Sequence, residues 1–276
     1  MGKVMYMRKG DKHSPPILPT LGDNSWAGIR AISDAGLASN YFSVGDTKTI
    51  RINGYFGGCT FQLNVDVFIL GFDHNSEKEG TNRIHFQIGK IGGVNVCLTD
   101  TWNGNQIDSG THFAMNNSNI NTGGWASCRM RSAVLGYGGT PENPTYDTML
   151  YALPADLRAV MKSATKYTDN TGGGSNTASY VTATTDYLWL LSEFELMGAR
   201  TNANSAEQNY QKQYDYYKAG NSKVMYSYED TTDSNNCWLR SPVASNATSF
   251  VGLRNTGAIY TYAANYSIGL APAFCV

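Results

Sequence analysis

The chain is short of charge. Lysine, arginine, aspartate and glutamate make up 16% of its 276 residues, against about 25% in ordinary soluble domains. The 21 basic and 22 acidic side chains leave a net charge of -1. That balance removes the electrostatic attraction on which binding to nucleic acid or an anionic membrane rests. A long hydrophobic run is also missing. The longest, 65–72, is interrupted by Asp66 and Gly71, far short of the ~20 apolar residues of a membrane helix. No nucleic-acid partner and no membrane insertion are therefore expected. Nor do residues 1–8 hold an apolar stretch of signal-peptide length, so synthesis in a reducing cytosol is expected, with any export by another route, such as assembly into a particle.

Cysteines are few and scattered. There are five, an odd number, with no CxxC pair, which argues against a disulfide scaffold and a zinc site. Catalytic signatures are missing as well: no GxSxG, HExxH, GxxxxGK[ST] or GxGxxG occurs. All four histidines, His13, His74, His85 and His112, lie in the first 112 residues. Asp73, His74, Glu77 and His85 are ligand types for zinc or manganese, but their spacing follows no helix or strand period. A local role at a strand end is the better reading, and no metal is expected. Glu193 and Glu195 could form an acid/base pair. Acidic residues directly after a capping Ser192 are also what a helix N-terminus favours, and that reading is preferred. Cys237 and Cys275 have no histidine nearby in sequence to activate a thiol, and read as buried free thiols or a facultative bridge.

What is abundant is glycine, with 29, and tyrosine, with 18. Residues 1–22 are polar and then proline-rich and read as an extended arm. A capping signal at Asn24-Ser25 opens an amphipathic helix running to Ser39. Alternating apolar residues over 48–72, with a turn at Asn53-Gly54, predict a β-hairpin or two neighbouring strands. Ile84–Ile88 and Val94–Leu98 are two further strands around Gly92-Gly93. A second helix spans Trp125–Leu135, burying Trp125, Cys128, Ser132 and Leu135. Residues 149–161 are helical in two pieces, with Pro154 at the first turn of the second. Residues 169–177 form a flexible loop, and 180–191 is strand material broken near Thr185-Asp186. A helix from Ser205 carries Tyr210, Tyr214 and Tyr217 on one face. Residues 235–276 read as all β, with Arg240 and Arg254 as their two charges and no acidic residue. A calcium site needs several oxygen ligands, so none is expected there, and no cofactor is expected at all.

The ending is the most specific stretch. Cys237-Trp238-Leu239-Arg240-Ser241-Pro242, then Phe250-Val251 and Gly257, then Gly269-Leu270-Ala271-Pro272-Ala273-Phe274-Cys275-Val276 resembles the C-type-lectin-like domain, in the branch shared with formylglycine-generating enzymes. It is similar to a family of Firmicutes and phage proteins that end in WLRSP…PAFCV. Ser25-Trp26-Ala27, Gly71-Phe72-Asp73-His74, Gly124-Trp125 with Met130-Arg131, Leu153-Pro154-Ala155, and Asp186 with Leu190-Leu191-Ser192 also resemble that family. The likeness thus covers about residues 24–276. Ala271 departs from it, standing where the family often has arginine, so a salt link from that position is absent.

The resemblance implies an α+β, C-type-lectin-like domain over residues 23–276, with Arg240 at the centre of its core. Trp238 and Phe274 should be buried, and the terminal strand should lie near Lys48–Ile52 or the strand at Leu63. It also implies a phage or prophage protein, in the virion or the bacterial cytoplasm. Such a protein would bind a cell-surface protein or glycan without catalysis, and could pair with itself or with other particle proteins. Some proteins with this ending are the variable targets of diversity-generating retroelements. Small polar residues and tyrosines between fixed Trp, Pro, Gly and Phe residues suit an adaptable binding surface. The expected ligand contacts are Asn246, Thr248, Arg254, Asn255, Tyr260, Tyr262, Asn265 and Tyr266. Tyr260 and Tyr262, two apart on a strand, should share a face; the competing arrangement points both inward as core. Two other functions stay open: a formylglycine-generating type of cysteine oxidase, which needs reactive cysteines in one cleft, and a structural particle protein with no ligand.

Overall fold

Alternation of apolar and polar residues over 47–72 produces two long antiparallel strands, β1 (Thr47–Phe56) and β2 (Cys59–Phe72). Around them the computed structural model describes residues 17–100, 107–108 and 111–276. The hairpin turns at Gly57-Gly58, both at positive φ, and not at Asn53-Gly54 as expected. Two consecutive left-handed residues are what a tight two-residue turn between twisted strands requires. Gly54 has a different use: a Cβ there would lie 2.7 Å from the Cβ of Ala152, so it lets a short helix approach the strand.

The remaining strands are β3 (Ile84–Ile91), β4 (Val94–Cys97), β5 (Ile107–Asp108), β6 (Ala164–Asp169), β7 (Val181–Asp186), β8 (Met225–Ser227) and β9 (Ser234–Asn235). The tail adds β10 (Cys237–Pro242), β11 (Ser249–Leu253), β12 (Ile259–Ala263), β13 (Tyr266–Ser267) and β14 (Ala273–Cys275). The main sheet runs β1-β2-β3-β4-β8-β9, and β14 pairs with β3 beside β4. The terminal strand is therefore one strand removed from β2. Phe274 stacks on Phe86 at 5.2 Å and meets Trp26 at 6.1 Å. β10-β11-β12 form a separate three-stranded sheet, and β6-β7 a third. With short helices between them, this is an α+β chain.

The helices are shorter than the sequence implies. α1 (Trp26–Asp34) is capped by the Ser25 hydroxyl and ends before Gly36, at φ +68. α2 (Ala38–Tyr41) is a separate turn. α3 (Ser76–Glu79) follows β2. The expected helix 125–135 is α4 (Gly124–Ser127) followed by a π-helical turn, Met130–Val134. Trp125, Cys128 and Leu135 are buried there, whereas Ser132 is exposed. Pro154 separates α5 (Met149–Ala152) from α6 (Ala155–Arg158), as expected. α7 (Glu193–Met197) opens on a full capping box between Ser192 and Glu195. The tyrosine helix does not form as one piece. A 3₁₀ turn at Ser205–Asn209 and α8 (Asp215–Lys218) bracket an irregular segment; Tyr214 and Tyr217 are buried, and Tyr210 is half-buried.

One cluster of buried apolar side chains extends from Ile17 to Val276. Ile17 and Leu21 belong to it, so residues 17–22 pack against the domain; residues 1–16 of the expected arm lie outside the described residues. No helix among the described residues is long and apolar enough to cross a membrane.

Candidate functional site

The tail strands are core before they are surface. Every residue of β10 and β11 is buried. β12 is the partly open strand, and the register sets Gly252 of β11 between Trp238 on β10 and Tyr260 on β12. The missing side chain matters, because a Cβ on Gly252 would lie 2.9 Å from the Tyr262 ring. In the space it leaves, aromatic groups form a ladder from interior to solvent. Trp238 meets Tyr262 edge-on at 5.8 Å, Tyr262 meets Tyr260 at 5.1 Å, and the Arg254 guanidinium lies 3.8 Å over the Tyr260 ring. Their exposures are 1% for Trp238, 3% for Tyr262 and 40% for Tyr260. At its base, the Trp238 indole N–H donates to the Phe113 carbonyl at 2.8 Å.

Tyr260 and Tyr262 do share a face, but they play unequal parts. Tyr262 is buried under its neighbour, its hydroxyl donates to the Leu253 carbonyl at 3.4 Å, and burial raises its pKa. It supports the face instead of touching a ligand. Asn265 is likewise inside, at 8% exposure, and Tyr266 is half-buried in β13, opposite Asp108. The other residues divide between the two ends of the β11–β12 hairpin. Arg254, Asn255 and Tyr260 cluster at its turn, whereas Asn246 and Thr248 lie where β11 begins. Five-residue strands at ~3.4 Å per residue keep these groups apart. Asn246 closes its own turn by accepting from the Thr248 N–H at 2.7 Å.

Beneath the tail lies a network the sequence reading did not assemble. Arg240, fully buried, donates to both Glu195 carboxylate oxygens, to the Thr168 hydroxyl at 2.7 Å and to the Leu190 carbonyl at 2.8 Å. Lys166 Nζ lies 2.7 Å from Glu79, 3.1 Å from Glu195 and 3.0 Å from the Tyr214 hydroxyl. Burial alone would raise the Glu195 carboxyl, but Arg240 and Lys166 outweigh it and hold its pKa well below the usual range. For Glu79 burial wins over Lys166 and lifts the pKa to about 7. Glu207, which accepts from the Ser241 hydroxyl at 2.7 Å, is also pushed to about 7 by burial. His74 stacks on Tyr214 at 3.7 Å, and burial with the Lys166 charge lowers its pKa to about 3. The expectation of an Arg240-centred core is met. The capping reading of Glu195 is met too, with an ion-pair role added.

The histidines and carboxylates come together differently from the sequence expectation. His74 and His85 are neighbours at 5.6 Å, and the carboxylates beside His74 are Glu79 and Glu195, not Glu77. Donor atoms of His74, Glu79 and Glu195 lie within 4.8 Å of one another. Lys166 and Arg240 already occupy these carboxylates, so a metal ion would have to displace an ammonium. All five cysteines are buried, and none forms a disulfide. Cys275 meets Arg83 and the Lys162 carbonyl, whereas Cys237 neighbours Cys97. Burial raises the Cys275 thiol; hydrogen bonding to Cys237, then burial, raises Cys97.

No curated protein and no solved structure matches the chain. One family does, over residues 101–276, which include β6 to β14, Lys166, Glu195, Arg240 and the aromatic ladder. The chain belongs to that family, described as Domain of unknown function (DUF6273).

Proposed function

We propose that this chain is a non-enzymatic binding protein with a C-type-lectin-like fold, which presents Arg254, Asn255 and Tyr260 to a cell-surface protein or glycan. The observation that carries the reading is the ladder from Trp238 to Arg254. An arginine and a tyrosine are held at the surface by buried rings, so little side-chain freedom is lost on binding. Arg and Tyr are also the residue types that dominate binding energy at interfaces. Burial of both Cys237 and Cys275 weighs against the oxidase reading, because neither thiol is open to a peptide substrate, and the raised pKa of Cys275 leaves it little thiolate.

Separation of exposed from buried tail positions also supports the diversified-target reading. Asn246, Arg254, Asn255 and Tyr260 can change without touching the core. A near-copy of the 3′ segment differing at adenines, beside a reverse transcriptase gene, would be its genetic counterpart. The functional test is binding to bacterial surfaces and to a glycan array. The double variant Arg254→Ser/Tyr260→Ser should keep the melting temperature and lose binding. Unchanged binding in that folded variant overturns the proposal.

A further inference from the structure

One charge on the binding face is held in place yet unanswered. Arg254 is exposed at the β11–β12 turn, and its backbone is fixed on both sides. Its N–H donates to the Ala258 carbonyl at 2.8 Å, and its carbonyl accepts from the Gly257 N–H at 2.8 Å. The neighbouring Asn255 N–H donates to the Asn236 side-chain oxygen at 3.0 Å. The guanidinium carbon lies 3.8 Å from the centre of the Tyr260 ring, close enough for the two planes to stack. One face of the guanidinium is thus committed to the ring, but its N–H groups are not. Among the described residues no carboxylate and no hydrogen-bond acceptor meets them. A donor fork held this way loses little freedom when it binds.

Charge and size define what answers it. Residues 235–276 hold no acidic side chain, and a second cation lies close. A Cβ on Gly257 would meet the Val224 nitrogen at 3.0 Å and the Lys223 carbonyl carbon at 3.1 Å, so the Lys223-Val224 segment runs against the turn. Lys223 Nζ lies 5.9 Å over the Tyr217 ring and meets no carboxylate among the described residues. A planar fork of donors with its charge unopposed matches an oxyanion, which it can hold by two parallel bonds. The patch is also small. Arg254, Asn255, Thr256 and Tyr260 are its exposed polar and aromatic groups, against the ~20–30 residues a side of a stable protein interface. Tyr260 is the one large apolar side chain exposed there, and Arg254 covers one face of it. A single charged sugar matches that extent: its anionic group meets the fork, and its hydroxyls meet Asn255 and Thr256.

We infer that this face selects an acidic glycan, whose carboxylate or sulfate group docks on the Arg254 fork while Tyr260 positions the guanidinium. This ligand class rests on the proposed reading of the tail as a binding face. Its test is titration calorimetry on the full chain with polygalacturonate and with its methyl ester, which keeps the sugars and removes the charge. Dextran sulfate and dextran form a second pair and separate sulfate from carboxylate. At least one acidic polymer should bind, and its neutral counterpart should bind at least about tenfold more weakly. Arg254→Gln should weaken binding by a similar factor at an unchanged melting temperature. Arg51→Gln, which removes an exposed charge from β1, should have no effect. Tyr260→Ser should weaken binding, and Tyr260→Phe, which restores the stack, should recover it. The ligand class is overturned if no acidic polymer binds, if charged and neutral polymers bind alike, or if Arg254→Gln leaves the affinity unchanged. Tighter binding of poly-glutamate than of either acidic polymer would assign Arg254 to an acidic protein and overturn it too. Should Arg254→Gln lose capture of bacterial surfaces while charged and neutral polymers bind alike, the ligand class falls and the binding face stands. Polymer binding through Arg254 with no capture of bacterial surfaces would uphold the ligand class and overturn the cell-surface role.

Discussion

Arg240 and Glu195 stand 45 residues apart in the chain and meet as a two-point ion pair with no side-chain exposure on either partner. Arg240 comes from β10 and Glu195 from the first turn of α7, so the pair ties the tail to the capping box at Ser192. Removing one partner leaves the other charged and buried. Arg240→Met should therefore cost about 3–5 kcal/mol in urea unfolding. Arg240→Lys should recover little of it, because an ammonium cannot match the planar fork of donors. A loss below about 1 kcal/mol would show that the pair is not a keystone.

Trp238 anchors the ladder from below, through its contact with Tyr262 and its bond to the Phe113 carbonyl. Trp238→Ala should cost roughly 3–5 kcal/mol. Unchanged thermal stability would refute its place in the framework.

Gly252 and Tyr260 separate framework from face. Gly252→Val forces a side chain onto the Tyr262 ring and should lower the melting temperature by several degrees, since overpacking costs about 1–3 kcal/mol. Tyr260→Ser removes an exposed ring and should stay within about 0.5 kcal/mol. Equal losses would place Tyr260 in the core.

Buried carboxyls set opposite pH trends. Glu79 and Glu207 have folded pKa values of about 7 against the usual 4.5. Their contribution is therefore full below pH 4.5 and is lost as pH rises through 7. Glu195, depressed below its usual value, contributes above pH 4.5 and loses that contribution as pH falls further. Up to about pH 6.5 the loss from Glu79 and Glu207 is opposed by His74 and His85, which burial keeps neutral with lowered pKa values and whose contribution grows as pH rises to 6.5. The net fall in melting temperature should therefore appear between about pH 6.5 and pH 7.5. Glu207→Gln should flatten part of that fall, provided the amide keeps the bond to Ser241. A rise over the same window would contradict the assignment.

The periodic elements of the chain are legible in the sequence. Alternation marks β1 and β2, Ser25 marks the start of α1, and Ser192 with Glu195 marks the capping box. The boundaries less so: glycine at 54 looks like a turn, but its role is to admit Ala152, a contact between residues about a hundred positions apart. Tyr210, Tyr214 and Tyr217 keep helical spacing, yet Tyr214 is drawn instead to Lys166 and His85. At the candidate site, strand alternation correctly puts Tyr260 and Tyr262 on one face. It cannot show that Tyr260 and Arg254 cover Tyr262, because that depends on how the hairpin packs over Trp238. The ion network is hidden for the same reason: Lys166, Glu79, Glu195 and Arg240 come from four separate elements.

The central claim is that a fixed framework carries a changeable binding face, and a mutational scan of residues 237–266 tests it most directly. Each substitution would be read twice, for folded yield and for binding to the bacterial surface or glycan that the unaltered chain captures. At Arg254, Asn255 and Tyr260 most substitutions should preserve folding and change binding. At Trp238, Arg240, Phe250, Gly252 and Tyr262 most should abolish folding. Equal tolerance at the two sets, or binding indifferent to every exposed position, would contradict the account.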